Sequence, residues 1–460
     1  MTELKTFDTA KATRPMTVQV LKTKAETALG EQFAEAETTL PGGEWLRELR
    51  LKAIGAFAAL GLPHRRVEEW KYSDLRAAMK EAYPLARASI GDPAAYVVAK
   101  HLGAGFEKNT AEFVNGRAAA FTGVFAKKGA GSLAKLSEEP LAWLKAELEA
   151  AASTFADGAI ALNTALFTDG MVLDIPANAA FEMPLVIAFT DGDGAARSKA
   201  ATYVRNVIRI GKGAKVTLVE LFEGGRVPGH QVNAVTQLVI GDGAEVTHVK
   251  LVETGHEDLH VGKWLIRTGA NTTYRPFHMT LGAGFVRNEL ALKFDGQHSM
   301  LDLGAAYLNG DQGHTDTTLV IDHAVPHCTS RELVKGVLDQ RARGVFQGKV
   351  IVRPDAQKTD GKQMAQALML SEDTEFDSKP ELEIHADDVV CGHGSTSAEI
   401  DPDLVFYLRA RGIPREVALA MLVESFIGEA IDKVEHEGLR EVFMNKARVW
   451  LERDRARNAA

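Results

Sequence analysis

Among the side chains of this 460-residue protein, Cys391 and His393 are the ones whose type and spacing best suit chemistry, in Val389-Val390-Cys391-Gly392-His393-Gly394. On a strand, residues i and i+2 point to one face, so the thiol and the imidazole address a common point. Both are soft donors that suit iron or zinc, yet a closed site needs about four protein ligands. Two are present here, and the rest must come from elsewhere in the chain or from another protein. The plainer reading is a small buried hydrophobe beside a hydrogen-bonded imidazole. Gly392 and Gly394 lack side chains and would let a ligand or a second chain approach the backbone. His385 and Asp387 share the strand parity of Cys391, which makes His385 a weaker candidate for the same face. The other cysteine sits in Asp322-His323-Ala324-Val325-Pro326-His327-Cys328. There Pro326 predicts a loop, with metal binding by His323, His327 and Cys328 set against simple solvation.

The elements that position the pair are legible around it. Up to His393 the β-branched residues set among polar ones predict a strand, and after Glu399 the pattern turns helical. Asp401 is a good N-cap, Pro402 suits the first turn, and Gly412-Ile413-Pro414 is a stop. A long helix follows to about His436, apolar nearly all round, so its extra face belongs either to the last helix, Leu439 to Arg455, or to a partner. Upstream, Val207-Ile208-Arg209-Ile210-Gly211-Lys212-Gly213-Ala214 recurs 30 residues later as Gln237-Leu238-Val239-Ile240-Gly241-Asp242-Gly243-Ala244. Each copy reads strand, Gly-x-Gly turn, strand. Almost no helical pattern interrupts the β signal from about 170 to 395. Such a period predicts a solenoid of stacked coils, with a β-sandwich as the competing architecture. An open-ended solenoid needs caps, and helical segments before 160 and after 400 are available. The expected division is a flexible 1–40, a helical or mixed region 41–160, a β core 161–398 and a helical region 399–460.

The bulk numbers exclude several classes. A net charge of -9 and a pI near 5.9 argue against nucleic acid or an anionic membrane as the main partner. Two cysteines cannot build a disulfide framework, and neither a secretory leader nor a membrane-length apolar run is visible, so a cytoplasmic protein is expected. The paired Gly-x-Gly motifs lack the third glycine and the helix of a nucleotide fingerprint, and no Gly-x-x-x-x-Gly-Lys-Ser/Thr occurs. Any ATP dependence would therefore reside in another subunit. No serine has a nucleophile-elbow context. β-Helical lyases and acyltransferases are disfavoured by the aromatic content of 7% and by the absence of hexapeptide repeats.

Several of these segments together resemble one family. Lys358-Thr359-Asp360, Asp387-Asp388-Val389, Cys391-Gly392-His393-Gly394 and Phe406-Tyr407-Leu408-Arg409-Ala410-Arg411-Gly412-Ile413 are similar to the C-terminal signature of the SufB/SufD iron-sulfur cluster assembly proteins. The Cys-x-His-Gly followed by that helix is nearer the SufD type. Some three hundred residues earlier, Leu62-Pro63-His64-Arg65-Arg66-Val67-Glu68-Glu69-Trp70-Lys71-Tyr72-Ser73-Asp74-Leu75 resembles a second family segment, although physics alone reads it as an exposed turn pinned by Trp70 and Tyr72. The resemblance implies a mainly β fold: a right-handed parallel β-helix (solenoid) core flanked by N-terminal and C-terminal helical regions. It implies a non-catalytic scaffold subunit of the SUF system that pairs with a SufB-like subunit and SufC-like ATPases. A transient iron-sulfur cluster or iron would lie at the subunit interface, with no cofactor tightly bound in the isolated chain. His393, with Cys391, would face that interface, and the ATPase would dock on Phe406, Tyr407, Arg409, Arg411, Met421, Phe426 and Ile427. The alternative within the family is a homodimeric platform that recruits the ATPase without touching iron or sulfur.

Overall fold

The computed structural model describes residues 22–88, 95–103, 105–127, 129–151, 157–191, 199–224, 229–282 and 284–458. Its organising unit is the repeat visible in the sequence. β6 (Ala201–Ile210) turns through Gly211–Ala214 into β7 (Lys215–Glu223), and the next copy, β8 (Gln231–Ile240) with β9 (Glu245–Thr254), stacks on it in parallel. Val207 lies opposite Gln237 and Lys215 opposite Glu245, so the 30-residue offset is one coil. The stacking continues through β10 (Leu259–Thr268), β11 (Thr273–Gly282), β12 (Phe285–Phe294), β13 (Met300–Asn309) and β14 (His314–His323). It ends with β15 (Thr329–Leu338), β16 (Arg343–Val352), β17 (Asp360–Met369), β18 (Glu375–Ile384) and β19 (Val390–Ala398). Even-numbered strands form one sheet and odd-numbered strands the other, so each coil contributes one strand to each, over about seven coils. A parallel β-solenoid, and not a sandwich, is the result.

One corner explains why the repeat holds its period. The residue before β7 or its equivalent is preceded by a left-handed position, occupied by Gly213 and Gly243 and then by Asn271, His298, His327 and Lys358. Glycine is free there, and a side chain at this φ costs on the order of 1 kcal/mol, least for Asn. The next residue points inward and is buried in every coil: Ala214, Ala244, Thr272, Ser299, Cys328, Thr359. The hydroxyls satisfy corner carbonyls, Thr359 donating to Ala356 O of its own turn at 2.8 Å and Ser299 to Gly269 O in the corner of the preceding coil at 2.7 Å.

Apolar residues fill three layers. Between the sheets lie inward residues such as Leu218, Leu238, Val246, Ile266, Leu290 and Phe346. On the outer face of the even sheet pack α2 (Glu44–Leu60) and α7 (Gly158–Leu166), after α1 (Lys24–Ala36). The outer face of the odd sheet carries α9 (Arg415–Ile431) and α10 (Glu437–Asn458), preceded by the short α8 (Pro402–Ala410). Each fully buried aliphatic or aromatic side chain stabilises by about 1.5–3 kcal/mol. Among the described residues no helix is long and apolar enough to cross a membrane.

Two expectations change. Residues 24–36 are not flexible: Thr23 forms a capping box with Glu26, and Leu29 and Phe33 are buried, while residues 1–21 lie outside the described residues. The helix expected to reach His436 stops at Ile431. Its inner residues Val423, Ile427 and Ile431 are buried, whereas Val417 and Met421 stay exposed, so the apolar surround is divided between core and surface.

The early Glu-x-Trp-Lys-Tyr-Ser segment is, as expected, an exposed turn and short helix pinned by Trp70, and it also staples neighbouring coils together. Trp70 is buried with the Arg287 guanidinium 4.1 Å from its ring centre. Arg287 pairs with Asp316 and donates to Glu69 O, and the Ser73 hydroxyl donates to Asp316. Gln347, in the coil after that of Asp316, also donates to Glu69 O. On the opposite side His101, in α4 (Ala95–Leu102), places Nε2 3.0 Å from Glu223 and Nδ1 3.1 Å from Glu253, with Lys100 and Lys446 completing the cluster. Burial opposes the charged ring, but the two carboxylates outweigh it and raise the pKa of His101.

Two consequences are measurable. Arg287→Met leaves Asp316 buried without its cation and should cost about 3–5 kcal/mol in urea unfolding. The raised His101 value means its stabilisation is complete below its unfolded pKa, about 6.5, and is lost as pH rises through the folded one. His101→Gln should remove that step and about 1–3 kcal/mol at pH 6.

Candidate functional site at the open coil

The ten-strand sheet runs from β19 at one edge to the hairpin of β1 (Thr110–Val114) and β2 (Arg117–Phe121) at the other, and the nine-strand sheet from β18 to β3 (Ala130–Ser132). At the β1–β3 end the chain closes itself. Strands β2 and β3 pair antiparallel to their neighbours, and the Asp169 carboxylate accepts from Ala118 N, Ser132 Oγ and Ala134 N. At the other end nothing among the described residues covers β18 and β19. Inward residues that are buried in earlier coils are half-exposed or exposed there.

Cys391 and His393 sit on this last strand, both at inward parity. Cys391 lies opposite Gly361 and His393 opposite Gln363. The thiol is half-buried against the inter-sheet core and the imidazole is exposed. Below them stand Ser330, opposite Gly361, and Glu332, opposite Gln363. A Cβ on Gly361 would lie 3.4 Å from Ser330 Oγ and 3.7 Å from Cys391 Sγ, so its absence leaves a methyl-sized gap between hydroxyl and thiol. Burial raises the pKa of Cys391, and the Asp360 and Glu332 carboxylates add to it against the Gly361 amide. The thiol is therefore held protonated until a metal or another charge displaces the proton.

Glu332 escaped the sequence reading. Both its oxygens are buried without a hydrogen-bond partner among the described residues, and burial pushes its carboxyl to about 7. Only its inward parity with Val334 signals this, and that parity needs the register. His323, also inward, shares a 3.1 Å contact with Ser330 Oγ, and burial lowers its pKa to about 4. The column beneath the open coil thus holds polar groups able to keep or give a proton near neutral pH.

The other candidates separate. His385 follows β18, on the far side of a corner from β19, so strand parity does not carry it to the face of Cys391. Its Nε2 instead lies 3.0 Å from Glu383. His323, His327 and Cys328 diverge: the first and last are buried, and His327 is an exposed corner residue. Among the described residues no three His, Cys, Asp or Glu side chains converge as a metal cage. On α8, Asp401 caps by accepting from Asp403 N, and Phe406 and Tyr407 are 74% and 54% exposed. Arg411 lies over the Tyr407 ring at 4.5 Å. Phe406 and Arg409 line a groove of about 780 Å³ with Glu399, Arg415 and Leu419. Ile427 is fully buried against the sheet, which removes it from any docking surface, and Phe426 is half-buried with Lys335 Nζ 4.3 Å from its ring centre.

The chain is thus a parallel β-solenoid with helical layers on both sheets and two soft donors on a last coil that no described residue closes. Residues 192–426 match the family described as SUF system FeS cluster assembly, SufBD core domain, and residues 23–187 match the SufBD protein N-terminal region. The chain belongs to the SufBD family of iron-sulfur cluster assembly proteins and is SufD-like within it. An iron-sulfur cluster assembly SufBD family protein of Synechocystis is 28% identical over 407 residues, covering 84% of this chain and 86% of that one. The iron-sulfur cluster assembly protein SufD of Escherichia coli is 35% identical over 161 residues, 35% of this chain and 38% of that one. The chloroplastic protein ABCI7 of Arabidopsis thaliana is 27% identical over 284 residues, 60% of this chain and 59% of that one.

The burial difference between the two cysteines predicts that a thiol reagent titrates one thiol in the native chain, absent in Cys391→Ser, and the second only after unfolding. Gly392 has open space at its Cβ position, and Gly394 meets only the flexible end of Met364. Gly392→Val should therefore leave the unfolding free energy of the isolated chain within about 0.5 kcal/mol of the parent in urea titration.

Proposed function

We propose that this chain is a scaffold subunit whose open coil is closed by a second, SufB-like subunit, with the nascent iron-sulfur cluster as cargo at the junction. The observation that carries this reading is the exposed inward row of β19, an edge strand presenting unpaired backbone groups together with Cys391 and His393. An uncovered edge is a template for pairing with another chain. A partner strand laid against β19 would shield the half-exposed lumen and bring its own donors to the two offered here. The bare backbone at Gly392 and Gly394 suits close approach.

SufC-like ATPases would take the other exposed feature, the apolar surface of Phe406, Tyr407 and Met421 rimmed by Arg409 and Arg411. The chain lacks a Walker motif, so nucleotide-driven motion enters through that contact. The chain's own contribution is to offer ligands and to hold them in register, and the cytoplasm is the expected compartment.

The test is co-expression with a SufB-like subunit and an ATPase, followed by purification through a tag on this chain. His393→Ala should leave the complex assembled and lower its iron and sulfide content by about tenfold or more. Phe406→Ala with Tyr407→Ala should lose the ATPase and keep the paired subunit. Unchanged iron and sulfide in the assembled His393→Ala complex would favour the platform that never touches the cargo. Capture of a second copy of this chain alone would point to the homodimer.

A further inference from the structure

We propose that His298 and His327 form a two-imidazole site for a divalent first-row transition-metal ion on the flank of the solenoid. The inference stands apart from the open-coil reading and uses none of its residues. The two histidines occupy the same left-handed corner position in successive coils, with φ of 60° and 61°. Their rings stack with centroids 4.8 Å apart and planes 14° from parallel, and both side chains are exposed.

That spacing is the relevant quantity. With metal-nitrogen bonds of about 2.0–2.1 Å, two imidazoles bound cis to one ion place their ring centres roughly 4.5–5.2 Å apart, from octahedral to tetrahedral angles. The backbone already supplies the separation, and turning two solvated rings about χ2 brings a nitrogen of each toward one point. The coil ladder fixes the spacing, because Thr329 N donates to Ser299 O across the two coils at 2.9 Å and Met300 lies opposite Thr329 in the parallel ladder. Both anchors are main-chain features, so the pair is preorganised by the solenoid and not by its own side chains.

The surroundings do not oppose a cation. Lys358, at the same corner in the next coil, is paired with Asp388. Asn271, at the corner one coil earlier, adds a carboxamide whose oxygen is a ligand type for such ions. Neighbouring coils lie about 4.8 Å apart, so an ion held here is roughly 12 Å along the axis from the coil of Cys391. Water fills the remaining coordination positions, which makes the site exchangeable.

The experiment uses Cu²⁺ alone as the probe, with the full chain at about pH 7.5, above the ordinary imidazole value. His298→Asn and His327→Asn are the variants, because Asn tolerates the left-handed corner and keeps the fold. The parent, studied with Cys391→Ser and His393→Ala in place so that the open coil offers no donors, should show a copper component with two nitrogen ligands in its EPR spectrum, displaced by Zn²⁺. Each single variant should weaken that component's affinity by about tenfold or more, and the double variant should abolish it, with thermal midpoints unchanged in the absence of metal. A two-nitrogen component that persists in the double variant, or a parent spectrum without one, would overturn the proposal.

Discussion

Everything in this molecule depends on the main-chain ladder that joins each coil to the next. A parallel pair cannot satisfy its outer strand by itself, so every coil requires a neighbour on both sides, and the row must stop somewhere. At the first end the chain reverses direction, pairing β2 and β3 antiparallel and filling the corner with Asp169. At the last end it does not. The difference between these two ends leaves a repeat closed at one terminus and, among the described residues, open at the other.

The helical layers serve that ladder by preventing slip between coils. Trp70, Ser73 and Glu69 reach Arg287, Asp316 and Gln347, which stand on three successive even strands. A single N-terminal segment thus bolts neighbouring coils to one another. The pairing of Arg287 with Asp316 is fully buried, where losing either member is far more costly than an exposed ion pair would suggest. Register matters here because a shift by one residue would turn the donor column at Ser330, Glu332, Cys391 and His393 outward.

Much of this was legible in the sequence. The 30-residue recurrence is the coil itself, Asp401 and Gly412 do cap and stop α8, and the Cys-x-His pair does share one face of one strand. What stayed hidden depends on information that a linear pattern lacks. Parity does not survive a corner, which is why His385 was misplaced. Contacts between coils couple residues about thirty apart, so the His298–His327 stack and the Glu332 column have no local signature. The charges of the Trp70 segment are solvated as expected, and what the pattern does not show is that its Trp70 ring and Glu69 carbonyl reach Arg287 and Gln347 on distant coils. Ile427 and Met421 lie on one helix with the same apolar character, and only packing shows that the first faces the sheet and the second solvent.

The two cysteines show how far position outweighs residue type. Cys328 stands in the corner column of Thr272, Ser299 and Thr359, where the side chain satisfies a corner carbonyl, and its thiol approaches Gly296 O as a hydroxyl would. It is enclosed by coils on both sides, so no reagent and no partner reaches it. Cys391 has the same core on one side and, among the described residues, no coil on the other. Its pKa is raised by burial, which makes a free thiolate scarce in the isolated chain and ties deprotonation to the arrival of a cation. A protonated thiol is a weak ligand, so in the proposed assembly its deprotonation would accompany completion of the coil. A strand added in the proposed assembly would therefore meet two requirements, shielding the lumen and completing the donor set, in one physical event.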